Sequence, residues 1–345
     1  MPLISVIIPC HNSAPWLKEA VDSIGRQSCR DLEILVYDDG STDESPRILD
    51  ELAARDRRIV PMGETTNRGI VHALNTLLLA AKGEYIARMD ADDISLPDRF
   101  ERQLLFLEQG TADLCGTWHQ DFGHGLGNPV HRNYVDVEEV RTALLFQTAI
   151  PHPTLLAHRK VFESFQYRSG YDLAEDFDLF VRMSSRFRLA NLPEVLYLYR
   201  RHRQQATRSR REAMESVASK VRVDALRLRG IEPDAEEQRL HNLIRAPHSI
   251  HSREDLQRIE YWLLKLFGHF DDPKAQRVIA TQWTRAAVRA APLGWAMWHI
   301  YRASRLCALQ HHRLGNDIDL AFLAITRLDY DSPAFDVLSR LGLGG

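Results

Sequence analysis

Apolar and polar positions alternate in blocks along the first ninety residues, and the blocks have two different periods. Ile4-Ser5-Val6-Ile7-Ile8-Pro9 is a short, nearly continuous apolar run, the pattern of a buried strand. Asn12-Ser13 follows with N-cap chemistry, after which Leu17, Ala20, Val21 and Ile24 keep helical spacing. Leu32-Glu33-Ile34-Leu35-Val36-Tyr37 predicts a second strand, closed by Asp38-Asp39-Gly40-Ser41-Thr42-Asp43. A helix carrying Ile48, Leu49 and Leu52 comes next, then a third strand near Ile59-Val60. Asn67-Arg68-Gly69 opens another helix, with Ala73, Leu74, Leu77 and Leu78 on one side and Gly83 at its close. Tyr85-Ile86-Ala87-Arg88 is the fourth strand and runs into Met89-Asp90-Ala91-Asp92-Asp93. Strands alternating with helices at these lengths predict an α/β fold, a mostly parallel sheet flanked by helices on both faces.

The pattern then becomes less regular. Residues 97–110 read as a helix with Phe100, Leu104 and Leu107 inward, and Ala112-Asp113-Leu114-Cys115-Gly116 as a strand. Residues 118–134 are rich in Gly, His and Asn, the composition of a loop or irregular hairpin. Residues 137–146 return to helix, and Thr154-Leu155-Leu156 suggests a strand. Glu175-Asp176 starts a helix with Leu179, Phe180 and Met183 on its apolar side, and residues 195–199 read as an edge strand. Beyond about Thr207 the pattern is helical, broken at Gly230, Pro233, Pro273 and Pro292. Two regions are therefore expected, residues 1–206 with the sheet and residues 207–345 all helical.

Composition narrows the function classes. A net charge of −3 gives no general attraction to nucleic acid, so a basic region must act locally. Cys10, Cys29, Cys115 and Cys307 lie far apart and form no Cys-x-x-Cys pair, which argues against a zinc site or a disulfide framework and fits a reducing cytosol. The opening Met1-Pro2-Leu3-Ile4-Ser5 enters a strand at once, without the charged start of a signal peptide, and no run of about eighteen apolar residues suggests a membrane span. A cytoplasmic protein is expected.

Candidate chemistry collects at the predicted strand ends. Asp90 and Asp92 are two apart, so on an extended backbone their carboxylates leave the same side, and two hard oxygen ligands suit Mg²⁺ or Mn²⁺. The competing reading is an acidic cap for the next helix. Asp38-Asp39-Gly40-Ser41 ends another strand of the same sheet, where a carboxylate can accept a hydrogen bond from a base or ribose. Two acidic strand ends on one edge are costly unless a cation sits there. No G-x-x-x-x-G-K-[ST] or G-x-G-x-x-G loop follows the first strand, where Pro9-Cys10-His11-Asn12 stands, so a metal bridge is the consistent way to hold a diphosphate. Asp176, near a helix start, is a candidate general base, or merely an acidic first turn. In Tyr199-Arg200-Arg201-His202-Arg203-Gln204-Gln205, His202 is a candidate metal ligand and the arginines are candidate diphosphate contacts, against the alternative of a solvated basic run.

Taken in order, Ile4–Asn12, Asp38–Asp43, Gly83–Asp93 and Ala174–Leu179 resemble the motifs of family-2 glycosyltransferases of the GT-A fold, over about residues 3–206. The resemblance implies a nucleotide-sugar donor, UDP by family habit, a divalent metal (Mn or Mg) and inversion at the anomeric carbon. It places Pro9, Asn12, Asp39, Asp90 and Arg200 at the donor, with Asp39 on the base and Asp90 by the ribose and metal. Asp92 would ligate the metal, His202 would contact the metal or diphosphate, and Asp176 would deprotonate the acceptor hydroxyl. Arg200, His202 and Gln205 match the family's Arg-x-His-x-x-Gln ending, while the processive synthases' Gln-x-x-Arg-Trp motif is absent, which points to addition of a single sugar.

The expected function is transfer of one sugar to a hydroxyl of a glycan or lipid-linked glycan in cell-surface polysaccharide or lipopolysaccharide synthesis. Two other readings remain: a sugar nucleotidyltransferase, against which the missing glycine- and lysine-bearing loop speaks, and an inactive nucleotide-sugar-binding protein. In the helical region, Trp283, Trp295, Trp298 and Tyr301 are interleaved with Arg285, Arg289, Arg302 and Arg305, and residues 200–229 are densely basic. Such helices suit a peripheral contact with an anionic membrane surface, or they pack their aromatics on the catalytic domain or on a second subunit of a homo-oligomer. No nucleic-acid-binding module is recognisable.

Overall fold

A computed structural model describes residues 2–123, 128–202, 211–309, 314–330 and 332–335. The chain divides into two compact units: residues 1–140 with 148–206, and residues 141–147 with 207–345.

The first unit alternates strands and helices. In chain order these are β1 (Ile4–Cys10), α1 (Ala14–Gly25), β2 (Leu32–Asp39), α2 (Ser45–Arg55), β3 (Ile59–Glu64), α3 (Ile70–Ala80) and β4 (Tyr85–Arg88). Then come β5 (Ile94–Ser95), α4 (Arg99–Glu108), β6 (Leu114–Gly123), β7 (Val130–His131) and α5 (Val137–Ala143). The unit closes with β8 (Leu156–His158), α6 (Lys160–Ser164), α7 (Glu175–Met183) and β9 (Leu189–Arg201).

The strand order is β3-β2-β1-β4-β8-β6-β9-β5, with β7 alongside β6. β1, β2, β3 and β4 are mutually parallel, as the alternation of strand and helix predicts. The antiparallel pairs are confined to the other half, where β8 pairs with both β4 and β6 and the short β5 and β7 fold back. Ile4, Val6, Ile7 and Ile8 are all fully buried, so both faces of β1 are covered, which is why its sequence is continuous rather than alternating.

The loop or irregular hairpin expected over residues 118–134 is a hairpin: residues 118–123 belong to β6, which pairs with β7 at His119 and Gln120. One expectation needs correction. β9 is no edge strand: it starts at Leu189 and lies between β6, its parallel neighbour, and β5. A register irregularity near Trp118 breaks its pairing, and the half-buried Glu194 to Val195 stretch hides the strand's true length from a pattern count.

The second unit is helical: α8 (Arg211–Leu228), α9 (Ala235–Leu243), α10 (Arg253–His269), α11 (Pro273–Arg289), α12 (Trp295–Ala303), α13 (Arg305–Ala308) and α14 (Leu314–Thr326). Gly230, at φ 74°, ends α8, and Pro273 opens α11 behind the N-cap Asp272. Asp234 and Glu237 form a capping box at α9. Trp262, Trp283 and Tyr301 are almost wholly buried, and the last two stack at 6.2 Å, so these aromatics fill the unit's own core. Residues 141–147 are built into it: the His241 ring bonds the Leu145 carbonyl at 2.8 Å, Arg222 donates to the Phe146 carbonyl, and Arg285 donates to Gln147. Among the described residues, no helix is long and apolar enough to cross a membrane.

Candidate active site

Because β1, β2 and β4 are parallel, their carboxyl ends lie on one edge, and the loops leaving β1 and β2 are tied together. Asn12, at φ 51°, donates its backbone N–H to Ser41 Oγ at 2.8 Å and accepts the Thr42 N–H on its side-chain oxygen at 2.8 Å. Asp43, rather than Ser13, accepts the Ala14 N–H at the start of α1. Pro9 sits just upstream in β1, opposite Tyr37, and the ring of His11 bonds the Asp39 carbonyl at 2.9 Å.

Asp39 is buried, and its two oxygens accept the backbone N–H groups of Arg68 and Gly69, each at 2.8 Å. It thereby fastens the end of β2 to the start of α3. Each oxygen keeps a second lone pair for a ligand. Gly40 lets the chain come close, but to itself: a Cβ there would lie 2.6 Å from Asn67 N.

The Asp90–Asp93 segment is a turn rather than an extended strand, so the two-apart argument does not describe its geometry. The turn nevertheless brings oxygens of Asp90, Asp92 and Asp93 within 4.8 Å of one another. Arg88 Nη2 pairs with Asp90 Oδ1 at 2.6 Å, and His202 Nε2 meets Asp92 Oδ2 at 2.8 Å while its ring stacks on Trp16 at 4.0 Å. Arg200 braces the turn from β9: its backbone N–H donates to Asp93 Oδ1 at 2.7 Å, its Nε to the Asp92 carbonyl at 2.6 Å and its Nη2 to Glu19. Tyr197, also on β9 and fully buried, accepts the Asp90 N–H on its hydroxyl. Gln205 of the Arg-x-His-x-x-Gln match lies outside the described residues, with Arg203 and Gln204.

Electrostatically the turn is overloaded with negative charge. Burial, then Asp90 and Asp92, push the Asp93 carboxyl well above the usual carboxylate range, and its Oδ2 is buried without a hydrogen-bond partner. Burial and Asp90 likewise raise Asp92, against the opposing effect of His202. Three gathered carboxylates and an imidazole, one oxygen left unsatisfied, fit a hard divalent cation held by carboxylates. Sequence reasoning missed Asp93 as a member of this group and Arg88 and Tyr197 as its supports. The doubled Asp92-Asp93 was a visible signal; the pairing of β9 beside the turn was not.

Asp176 stands at the start of α7 and accepts the Phe177 N–H at 2.7 Å. Burial raises its carboxyl, the Phe177 N–H and the Arg88 charge oppose the shift, and Asp90 adds to it. Its neighbour Glu175 is pushed up to about 7, by burial and then by Asp176. Arg88 acts on all three carboxylates, so the fold places Asp176 in the electrostatic neighbourhood of the Asp90–Asp93 turn, some ninety residues away in sequence. The structure thus brings Pro9, Asn12, Asp39, Asp90, Asp92, Asp176, Arg200 and His202 into the first unit, with the β4 turn as the meeting point for the last five.

Comparison with known proteins agrees with this architecture. The model of glycosyl transferase family 2 matches residues 5–171. An uncharacterized glycosyltransferase of Haemophilus influenzae is 30% identical over 236 residues, which cover 64% of this chain and 72% of the relative. The chain belongs to glycosyl transferase family 2. It is also 29% identical over 198 residues to the chondroitin synthase of Pasteurella multocida, of which it spans only 20%. Among solved structures, S. aureus TarS 1-349 in complex with UDP-GlcNAc superposes with a TM-score of 0.57 at 16% identity, covering 94% of this chain and 91% of that one, a likeness of fold. The family-2 glycosyltransferase therefore has the GT-A architecture expected from its motifs, with the helical region included in the match.

Proposed function

We propose that this glycosyltransferase moves one sugar from a nucleoside-diphosphate donor, with UDP the favoured nucleotide, to a hydroxyl of a glycan acceptor, inverting the anomeric carbon. The observation that carries the reading is that His202 meets Asp92 of the Asp90–Asp93 turn while Arg88 joins Asp90 of the same turn to the start of α7. TarS, whose fold this chain shares, is described with UDP-GlcNAc, which supports a UDP-sugar donor. In the proposed arrangement Pro9, Asn12 and Asp39 line the nucleotide end, with Asp39 held in place for the base by its two backbone donors. Arg200 keeps the turn in shape and adds positive charge near the diphosphate. Asp90, Asp92 and His202 would hold Mg²⁺ or Mn²⁺, which when bound supplies neutralisation of the charge gathering on the departing diphosphate.

Asp176 takes the proton from the acceptor hydroxyl as its oxygen bonds to the anomeric carbon from the face opposite the leaving group. The bond from that carbon to the diphosphate breaks in the same displacement. Burial that raises Asp176 makes it a better proton acceptor once ionised, and Arg88 keeps the ionised form accessible. Asp176→Asn should lower kcat by ~10²–10⁴ while the thermal shift produced by UDP-sugar with Mn²⁺ stays as in the wild type. Near-normal transfer by D176N would remove the base assignment.

Acceptor and location belong to the same proposal. We place the enzyme in the cytosol, working on lipid-linked glycan at the inner membrane face in polysaccharide or lipopolysaccharide synthesis. Trp295, exposed on α12 and edge-on to Trp298, is the aromatic best placed for a headgroup contact, since Trp283 and Tyr301 are spent in the core. Flotation with anionic liposomes tests the contact, and a chain that stays at the bottom of the gradient rejects it.

A further inference from the structure

The His- and Asn-rich stretch after residue 118 is unused by the proposed transfer reaction, and the fold gives it a defined geometry. His119 and Asp121 are two apart on β6 and so share a face, and His131 on β7 is the direct cross-strand partner of His119. The two imidazoles stack at 4.5 Å with an interplanar angle of 11°. Asp121 is only 5% exposed. Its Oδ2 accepts from Arg201 Nε at 2.7 Å, while its Oδ1 lies 3.1 Å from His131 Nε2.

Asp121 Oδ1 and His131 Nε2 thus face each other as a close ion pair, and beside them His119 Nδ1 is a buried atom with no hydrogen-bond partner. A buried ring nitrogen with nothing to bind, set against a buried carboxylate and a second imidazole, is costly unless a ligand joins them. Ligand atoms of the three side chains lie within 4.8 Å of one another. Two ligands held at roughly 2.1 Å from one ion stand about 3.0–3.4 Å apart, which matches the separation of His131 Nε2 and Asp121 Oδ1.

We propose that His119, Asp121 and His131 form a second metal site, selective for a zinc-class transition ion. Two imidazoles and one carboxylate suit Zn²⁺ or Co²⁺, whereas the carboxylate-rich Asp90–Asp93 cluster suits Mg²⁺ or Mn²⁺. The ion clamps β7, a strand of two residues, onto β6. Arg201 orients the Asp121 carboxylate by donating to its other oxygen.

The test uses the full chain with Mg²⁺ in excess to occupy the carboxylate-rich cluster, and Co²⁺ as the probe, because its visible absorption reports nitrogen ligation. Wild type and D92N should each bind one Co²⁺ with a ligand-field band that Zn²⁺ abolishes, and Zn²⁺ should raise the Tm of both. His131→Gln, at a side chain 39% exposed and so tolerant of change, should lose the band and the Zn²⁺ shift while keeping the wild-type circular dichroism. His119→Gln should behave in the same way. Retention of the band in H131Q would assign it to other members of the fifteen histidines and overturn the site, as would its loss in D92N with retention in H131Q.

Discussion

Arg88 links the Asp90 turn to the carboxyls at the start of α7. It is buried, and although burial works against its charge, Asp90 and the surrounding hydroxyls and carboxylates hold the guanidinium firmly protonated. Glu175 and Asp176 titrate as a linked pair beside it, and the step near pH 7 belongs to the pair. With Glu175 raised from 4.5 to about 7, the folded protein holds a proton that the unfolded chain has released across that interval, so stability falls as pH rises through it. Glu175→Gln removes that titration: the acid limb of kcat/KM should move to lower pH and the loss of stability between about pH 4.5 and about 7 should flatten. Arg88→Met should move the limb to higher pH, because the cation that favours both ionised carboxyls is gone, and should lower stability by about 3–5 kcal/mol by stranding Asp90. Limbs that shift in the same direction in E175Q and R88M would break the account. Both are read from pH–rate profiles and urea melts.

At the scale of elements, the site is a product of how strand ends are stitched to helix starts. The β2 loop holds α1 through Asp43, α3 through Asp39 and the β1 loop through Ser41 and Thr42. Gly40 sits at φ 69° inside this knot, with the Asn67 and Thr66 backbone against the position a Cβ would take. Gly40→Ala is therefore expected to cost about 1–3 kcal/mol in denaturant midpoint, and to weaken donor binding by loosening Asp39. An unchanged midpoint would mean that the knot carries no strain. β9 supplies the other half of the site, since Tyr197 and Arg200 on this interior strand, and His202 directly after it, reach the Asp90–Asp93 turn. Their roles are inseparable from its position between β6 and β5.

At the scale of the molecule, each unit has its own core, one around β1 with Ile4, Val6 and Ile8, the other around Trp262 and Trp283. Calorimetry should resolve two transitions. UDP-sugar with Mn²⁺ should raise the one belonging to the sheet-bearing unit, by mass action on the donor site proposed there. Trp283→Ala should lower the other, by about 3–5 kcal/mol for the cavity left behind. A single transition that both changes move equally would show that the two cores melt as one.

The amino-acid sequence by itself determined the local periods, and with them the parallel half of the sheet, because β1 to β4 are each built from neighbours in sequence and carry their strand or helix signature whole. It also determined where acidic residues stand, since Asp39, Asp90 and Asp92 follow strands and Asp176 opens a helix, all beside breaks that any reading of turns will find. The tertiary structure decided what those residues meet. The length of β9 and its interior place depend on pairing with β6 across more than seventy residues, which no local period encodes. The same is true of Arg88 between Asp90 and Asp176, of Asp93 turned inward beneath Arg200, and of residues 141–147 built into the helical unit. Short β5 and β7 bury too little to announce themselves and exist because longer strands template them. Residue types follow from local composition, but partners follow from which distant segments can bury their apolar faces together, and that is settled only when the sheet closes.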